Sequence, residues 1–140
     1  MRVSFHFNVA QPYDYVIRLS RKVLAQHPRM VVHAPAARLA ALSEHLWAAA
    51  PGSFLAHALP EDGQPIQARS RIVLADRIQA LASDVWVNLD QTGPLFDGQA
   101  ARVVEIVGPS DEERVAGRRR WRQYASMGCE MDGHDATARQ

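Results

Sequence analysis

The chain is nearly without cysteine and lysine: Cys129 and Lys22 are the sole examples among 140 residues. A single thiol excludes an intramolecular disulfide and gives no sign of an oxidising compartment. Long apolar runs are missing as well. The opening residues, MRVSFHFNVAQPYDY, alternate apolar and polar positions instead of forming a signal-peptide stretch. No segment approaches the ~20 apolar residues that cross a bilayer, so the expected location is the cytoplasm, with no membrane partner. Nor is there an excess of charge. Sixteen basic against 15 acidic residues leave +1, which does not supply the basic face that duplex phosphates demand.

The motifs of nucleotide chemistry are absent too. The first strand–helix junction reads Asn8-Val9-Ala10-Gln11-Pro12, with no G-x-G-x-x-G, and no G-x-x-x-x-G-K-[ST] occurs anywhere. Without those glycines the backbone cannot approach a pyrophosphate, and Lys22 falls mid-helix, far from any phosphate loop. There is no G-x-S-x-G elbow. The histidines His6, His27, His33, His45, His57 and His134 form no H-E-x-x-H pair and no zinc spacing with Cys129. Asp76 and Asp90 follow strand candidates, at the end where α/β proteins place ligands; as common turn residues they make a weak metal pair. The sequence gives no positive argument for catalysis, for a cofactor or for a metal.

What is present reads as one α/β domain over residues 1–128, followed by a flexible tail at 129–140. Val3, Phe5, Phe7 and Val9 alternate as a strand. Apolar residues from Tyr13 to about Gln26 recur at helical spacing, and His27-Pro28 ends that helix. Met30 to Val32 is a short strand. Pro35 opens a second helix with Leu39, Leu42, Leu46 and Trp47 as its apolar stripe. This β-α-β-α beginning favours a Rossmann-like domain with a mainly parallel sheet flanked by helices. Further strands fall at Ile72–Leu74, Val85–Leu89 and Arg102–Val107, separated by turns rich in Pro and Gly. Residues 76–83 fit a short helix or a loop equally.

The last helix is the best defined. Ser110 and Glu113 form a capping box, Asp111 to Glu113 place negative charge at its positive end, and Gly128 ends it after Met127. Arg114, Arg118, Arg119, Arg120 and Arg122 fall within nine residues. At 100° per residue Arg114, Arg118, Trp121, Arg122 and Ala125 share one face. Arginine forks and an indole together suit a ligand carrying both negative charge and an apolar group. The competing reading is a solvated face whose Trp121 turns into the core.

Three segments, read together, resemble the chi subunit of DNA polymerase III. They are Leu42-Ser43-Glu44-His45-Leu46-Trp47 with Ser53-Phe54-Leu55-Ala56-His57, the strands Asp84–Leu89 and Arg102–Val107 joined through Phe96, and Arg118-Arg119-Arg120-Trp121-Arg122-Gln123-Tyr124 running to Gly128. The ordered set over residues 1–128 carries the likeness. It implies a non-catalytic accessory subunit of the polymerase holoenzyme, associated with the clamp loader, on a Rossmann-like fold without a nucleotide site. It implies two partners. The C-terminal tail of single-stranded DNA-binding protein would meet Arg118, Trp121 and Arg122. The psi subunit, where one exists, would meet Trp47 and Phe54, which are equally plausible as core residues. Nucleic acid would be reached indirectly; the alternatives are direct nucleic-acid binding by the Arg114–Arg122 helix and an enzyme on the Rossmann-like scaffold whose site the sequence does not reveal. Ala125 stands where the family often has a further basic residue, and Arg114 or Arg119 would compensate.

Overall fold

The computed structural model describes residues 1–48, 57–63, 66, 70–76, 84–90 and 101–137. Phe54, Phe96, the undecided stretch at 77–83 and the turn at 91–94 lie outside them. In chain order the described elements are β1 (Arg2–Phe7), α1 (Pro12–Gln26), β2 (Met30–His33), α2 (Ala36–Trp47), β3 (His57–Ala58), β4 (Ile72–Ala75), β5 (Val85–Asn88), β6 (Arg102–Ile106), α3 (Asp111–Ser126) and β7 (Glu130–Asp135). The strands form one sheet in the order β3-β4-β2-β5-β6-β1-β7. Every strand pair is parallel, as expected for a Rossmann-like domain.

Right-handed crossovers decide which face each helix covers. The chain moves one way along the sheet from β1 to β2 to β3, and the other way from β6 to β7. Helices α1 and α2 therefore pack on one face and α3 on the other. Because side chains alternate along a strand, the core divides accordingly. Met30, Val32, Ile72, Leu74, Val85, Val87, Val104 and Ile106 join Val16, Ile17, Leu39, Leu42 and Leu46 beneath α1 and α2. Val3, Phe5, Val31, Val73, Trp86 and Val103 join Tyr124 beneath α3. Strands buried on both faces read as continuous apolar runs, which is how MVV, IVL and VWV read.

Helix boundaries follow their local chemistry. His27 takes an extended conformation (φ −127°, ψ 147°) ahead of Pro28 and closes α1. Pro35 stands one residue outside α2, at its N-cap, with Ala36 as the first helical residue. The Ser110 hydroxyl accepts the Glu113 N–H at 3.1 Å and donates to its carboxylate at 2.8 Å. Gly128, at φ +79°, takes the left-handed turn that ends α3.

Two expectations change. Residues 130–135, expected within a flexible tail, form β7, hydrogen-bonded along β1 from Arg2↔Glu130 to Phe7↔Asp135. Its sequence, EMDGHD, holds one large apolar residue, because an edge strand with little apolar cover has no periodic pattern to show. Trp47 leaves the stripe formed by Leu39, Leu42 and Leu46: those three are buried, whereas Trp47 is 64% exposed. The apolar row of α2 ends at Leu46, and Trp47 stands at the helix terminus beside the His57 ring, 5.6 Å away.

Candidate binding groove on the last helix

Helix α3 meets the sheet through Gly117, Arg120 and Tyr124, all buried. Their spacing of three and four places them on one stripe. Gly117 permits close approach: a Cβ there would stand 3.1 Å from both Val107 methyls. Beneath the helix, Glu105 points out of the middle of β6 into the same layer. Its carboxylate accepts from Arg120 Nε at 2.9 Å, Tyr124 Oη at 2.6 Å and Asn88 Nδ2 at 2.8 Å. Glu105 and Arg120 are 0% and 2% exposed. Burial raises the Glu105 carboxyl above the ordinary carboxylate range, against the opposing pull of the Arg120 charge and the three hydrogen bonds. An ion pair this deep adds little net stability, because desolvation offsets most of the Coulomb gain.

In the sequence Arg120 stood within the arginine cluster without a role of its own, and its buried pairing with Glu105 was missed. Two signals marked it. Arg120 falls on the helical stripe with Gly117 and Tyr124, and Glu105 interrupts an otherwise apolar strand, VVEIV, where a carboxylate needs a buried partner.

With that stripe fixed, Arg114, Arg118 and Trp121 face a groove of about 500 Å³, whose other walls include Phe5, Phe7, Asn8 and Val107. Phe5 and Phe7 share a face of β1 with Val3. The Trp121 indole packs on the Phe5 ring at a centroid distance of 5.0 Å and remains 37% exposed. It neither turns wholly into the core nor stands free in solvent. Phe7, at 38%, is also half-open. Asn8, at φ 62°, holds the left-handed conformation that asparagine tolerates better than most residues. Its amide ties the elements together, accepting from Arg114 Nη2 at 3.3 Å and donating to Asp135 Oδ1 at 3.2 Å.

Of the residues expected at the site, Arg118 and Trp121 line the groove, and Arg114, named as a compensating residue, lines it with them. Arg122 is exposed one turn beyond Arg118 and is not part of the lining; Arg119 and Ala125 are exposed. Phe5, Phe7 and Asn8 escaped the sequence reading, since a strand pattern does not reveal which helix will cross its end. Trp47 lies on α2, across the sheet from the groove.

Phe5, Phe7 and Trp121 give the groove an apolar surface, and Arg114 and Arg118 line it beside them. Glu105 is engaged by three donors and is closed to solvent. Among the described residues no group of three or more His, Cys, Asp or Glu side chains gathers as a metal site, and no helix is long and apolar enough to cross a membrane.

Comparison with protein families finds a match over residues 1–132 to the family described as DNA polymerase III chi subunit, HolC. No curated protein matches the chain.

Proposed function

Because the chain belongs to the DNA polymerase III chi subunit family, a non-catalytic accessory of the replicative polymerase, we propose that its α3 groove receives the C-terminal tail of single-stranded DNA-binding protein. The observation that carries this reading is the pairing of an aromatic surface, Phe5, Phe7 and Trp121, with Arg114 and Arg118 in one groove. An acidic tail ending in a hydrophobic side chain needs both. Its last side chain would pack on the Trp121 indole, and its terminal carboxylate would meet Arg118, with Arg122 and Arg114 alongside.

A hydrogen bond to a charged group contributes roughly 1.5–3 kcal/mol. A packed aromatic adds a few kcal/mol more, against the cost of ordering a flexible peptide. The net, about −7 to −8 kcal/mol, corresponds to micromolar affinity. Exposed arginines make such binding sensitive to salt, which suits an adaptor that releases as the fork advances.

The test is a titration of a fluorescent peptide copying the tail, at low and moderate salt. A peptide without its last aromatic residue and the Arg118→Ala and Arg122→Ala proteins serve as controls. Micromolar binding lost with the short peptide and weakened in the arginine variants supports the reading. Binding kept by both variants would move the site off α3, and no binding at low salt would defeat the proposal.

A second contact, with a psi subunit within the clamp-loader assembly, is supported by Trp47. A tryptophan 64% exposed at the end of a helix whose leucines, Leu39, Leu42 and Leu46, are buried offers apolar area to such a partner.

A further inference from the structure

A second concavity, of about 300 Å³, opens on the opposite face of the sheet, between α1 and the strands β5, β6, β1 and β7. Its size falls at the lower end of small-molecule sites. Arg18 and Lys22 reach it from α1, one turn apart, and Arg102 from β6. His6, His134 and His27 contribute from β1, β7 and the end of α1. No aspartate or glutamate lines it among the described residues. Two carboxylates that pair with its histidines stand outside the lining: Asp84 with His27 at 3.8 Å, and Asp132 with His134 at 3.2 Å and with Arg2 at 2.9 Å.

Ser4 and His6 give β1 a polar face here, where β2, β4 and β5 present apolar side chains to the helices. Arg102 donates through Nη2 to Ser4 Oγ at 3.3 Å, while its enclosed Nε makes no hydrogen bond among the described residues. An enclosed guanidinium N–H without an acceptor is costly, and an anion in the cavity would supply the acceptor that Arg102 Nε needs. The His6 and His134 rings, with centroids 4.8 Å apart and planes tilted by 39°, add ring surface to the cavity wall.

We infer that this pocket binds a small phosphorylated molecule, of mononucleotide size or less, whose phosphate is held by Arg18, Lys22 and Arg102. Phosphate matches the cations better than a single carboxylate does, because it offers several acceptors to planar donor forks. Recognition through side chains needs no glycine-rich loop. The C-terminal end of α1, at Gln26 and His27, carries the negative end of the helix dipole, so the phosphate sits toward Arg18.

The test uses the full chain, ¹⁵N-labelled, titrated in separate experiments with inorganic pyrophosphate and adenosine monophosphate. Shifts are expected at Arg18, Lys22, Arg102 and His134, with binding at least about tenfold weaker, roughly 1.4 kcal/mol, in the Arg18→Glu/Lys22→Glu protein. Both positions are exposed, so that protein should keep its fold, checked by circular dichroism. Lys22→Gln alone, expected to weaken binding less, provides the reading should the double variant unfold. Arg118→Glu, across the sheet, should bind both ligands like the wild type. No shifts, or shifts preserved in the α1 variants, would overturn the inference. Tighter binding of a single-stranded oligonucleotide at the same residues would replace the small molecule with a nucleic-acid strand.

Discussion

Gly133 of β7 stands in register with Phe5 of β1, and the Trp121 ring lies over the space that a side chain at 133 would take. A Cβ at this glycine would meet Phe7 Cε1 at 3.4 Å and Trp121 Cζ3 at 3.9 Å, which is ordinary contact. Gly133→Ala is therefore expected to keep fold and tail binding. Gly133→Leu would push its extra carbons toward the indole and the groove. Its tail affinity should fall about tenfold or more, roughly 1.4 kcal/mol, with little change in the circular dichroism spectrum. Equal affinity of both variants in fluorescence anisotropy would separate the groove from tail binding.

The buried pair gives a stability test. Arg120→Met leaves Glu105 unpaired and is expected to cost about 3–5 kcal/mol in urea unfolding, as is Glu105→Leu, which strands Arg120. The double replacement should cost clearly less than the sum, because neither charge is then left alone. It will not recover fully, since Tyr124 Oη and Asn88 Nδ2 lose their acceptor. Tyr124→Phe alone should cost about 1–3 kcal/mol. Additive single effects would refute the coupling.

Acid should act first on β7. Burial pushes the Asp132 carboxyl up, but hydrogen bonds from Ser4 and Arg2 and the nearby positive charge outweigh it, leaving a net shift below 3.8. Hydrogen bonds from the Thr137 side chain and backbone, and from Asn8, lower Asp135 as well. A carboxylate whose folded value lies lower contributes stability above its unfolded value, and that stability is lost as pH falls through the folded one. Glu105, raised above 4.5, has the opposite slope: the folded protein takes up its proton first. Below pH 3.8 the Asp132→Asn/Asp135→Asn protein should therefore lose less of its stability than the wild type. Parallel losses in the two proteins would show that β7 is held by other means.

Trp47 separates binding from folding. Since it is largely exposed, Trp47→Ala should shift stability by no more than about 0.5 kcal/mol while weakening capture of a psi subunit. Thermal melts and a pull-down with purified psi check both halves. A large drop in melting temperature would return Trp47 to a packing role.

Much of this architecture was legible in residue order. Alternation at Val3 to Phe7, the paired strand runs, Ser110 with Glu113, and Gly128 each act within a few residues, so local chemistry shows them directly. The groove was legible by half. Arg118 and Trp121 share a helix face that a wheel displays, whereas Phe5 and Phe7 join them through a sheet order no local pattern encodes. β7 escaped because its strand depends on the waiting edge of β1 and hardly on apolar side chains of its own. Arg120 was lost among similar arginines, distinguished by the buried carboxylate beneath it.

The position of β1 sets a timetable. Its hydrogen-bonding neighbours are β6 and β7, with Arg2 aligned to Arg102 and to Glu130. β1 thus waits for partners roughly a hundred residues downstream. At ribosomal speeds of about 5–20 residues per second this is a delay of several seconds or more. Contacts so distant in sequence also form slowly once available. Phe5 and Phe7 sit on that waiting strand, and Trp121 arrives between its two neighbours. The groove therefore forms only after Trp121 has been made and β1 has found its place in the sheet.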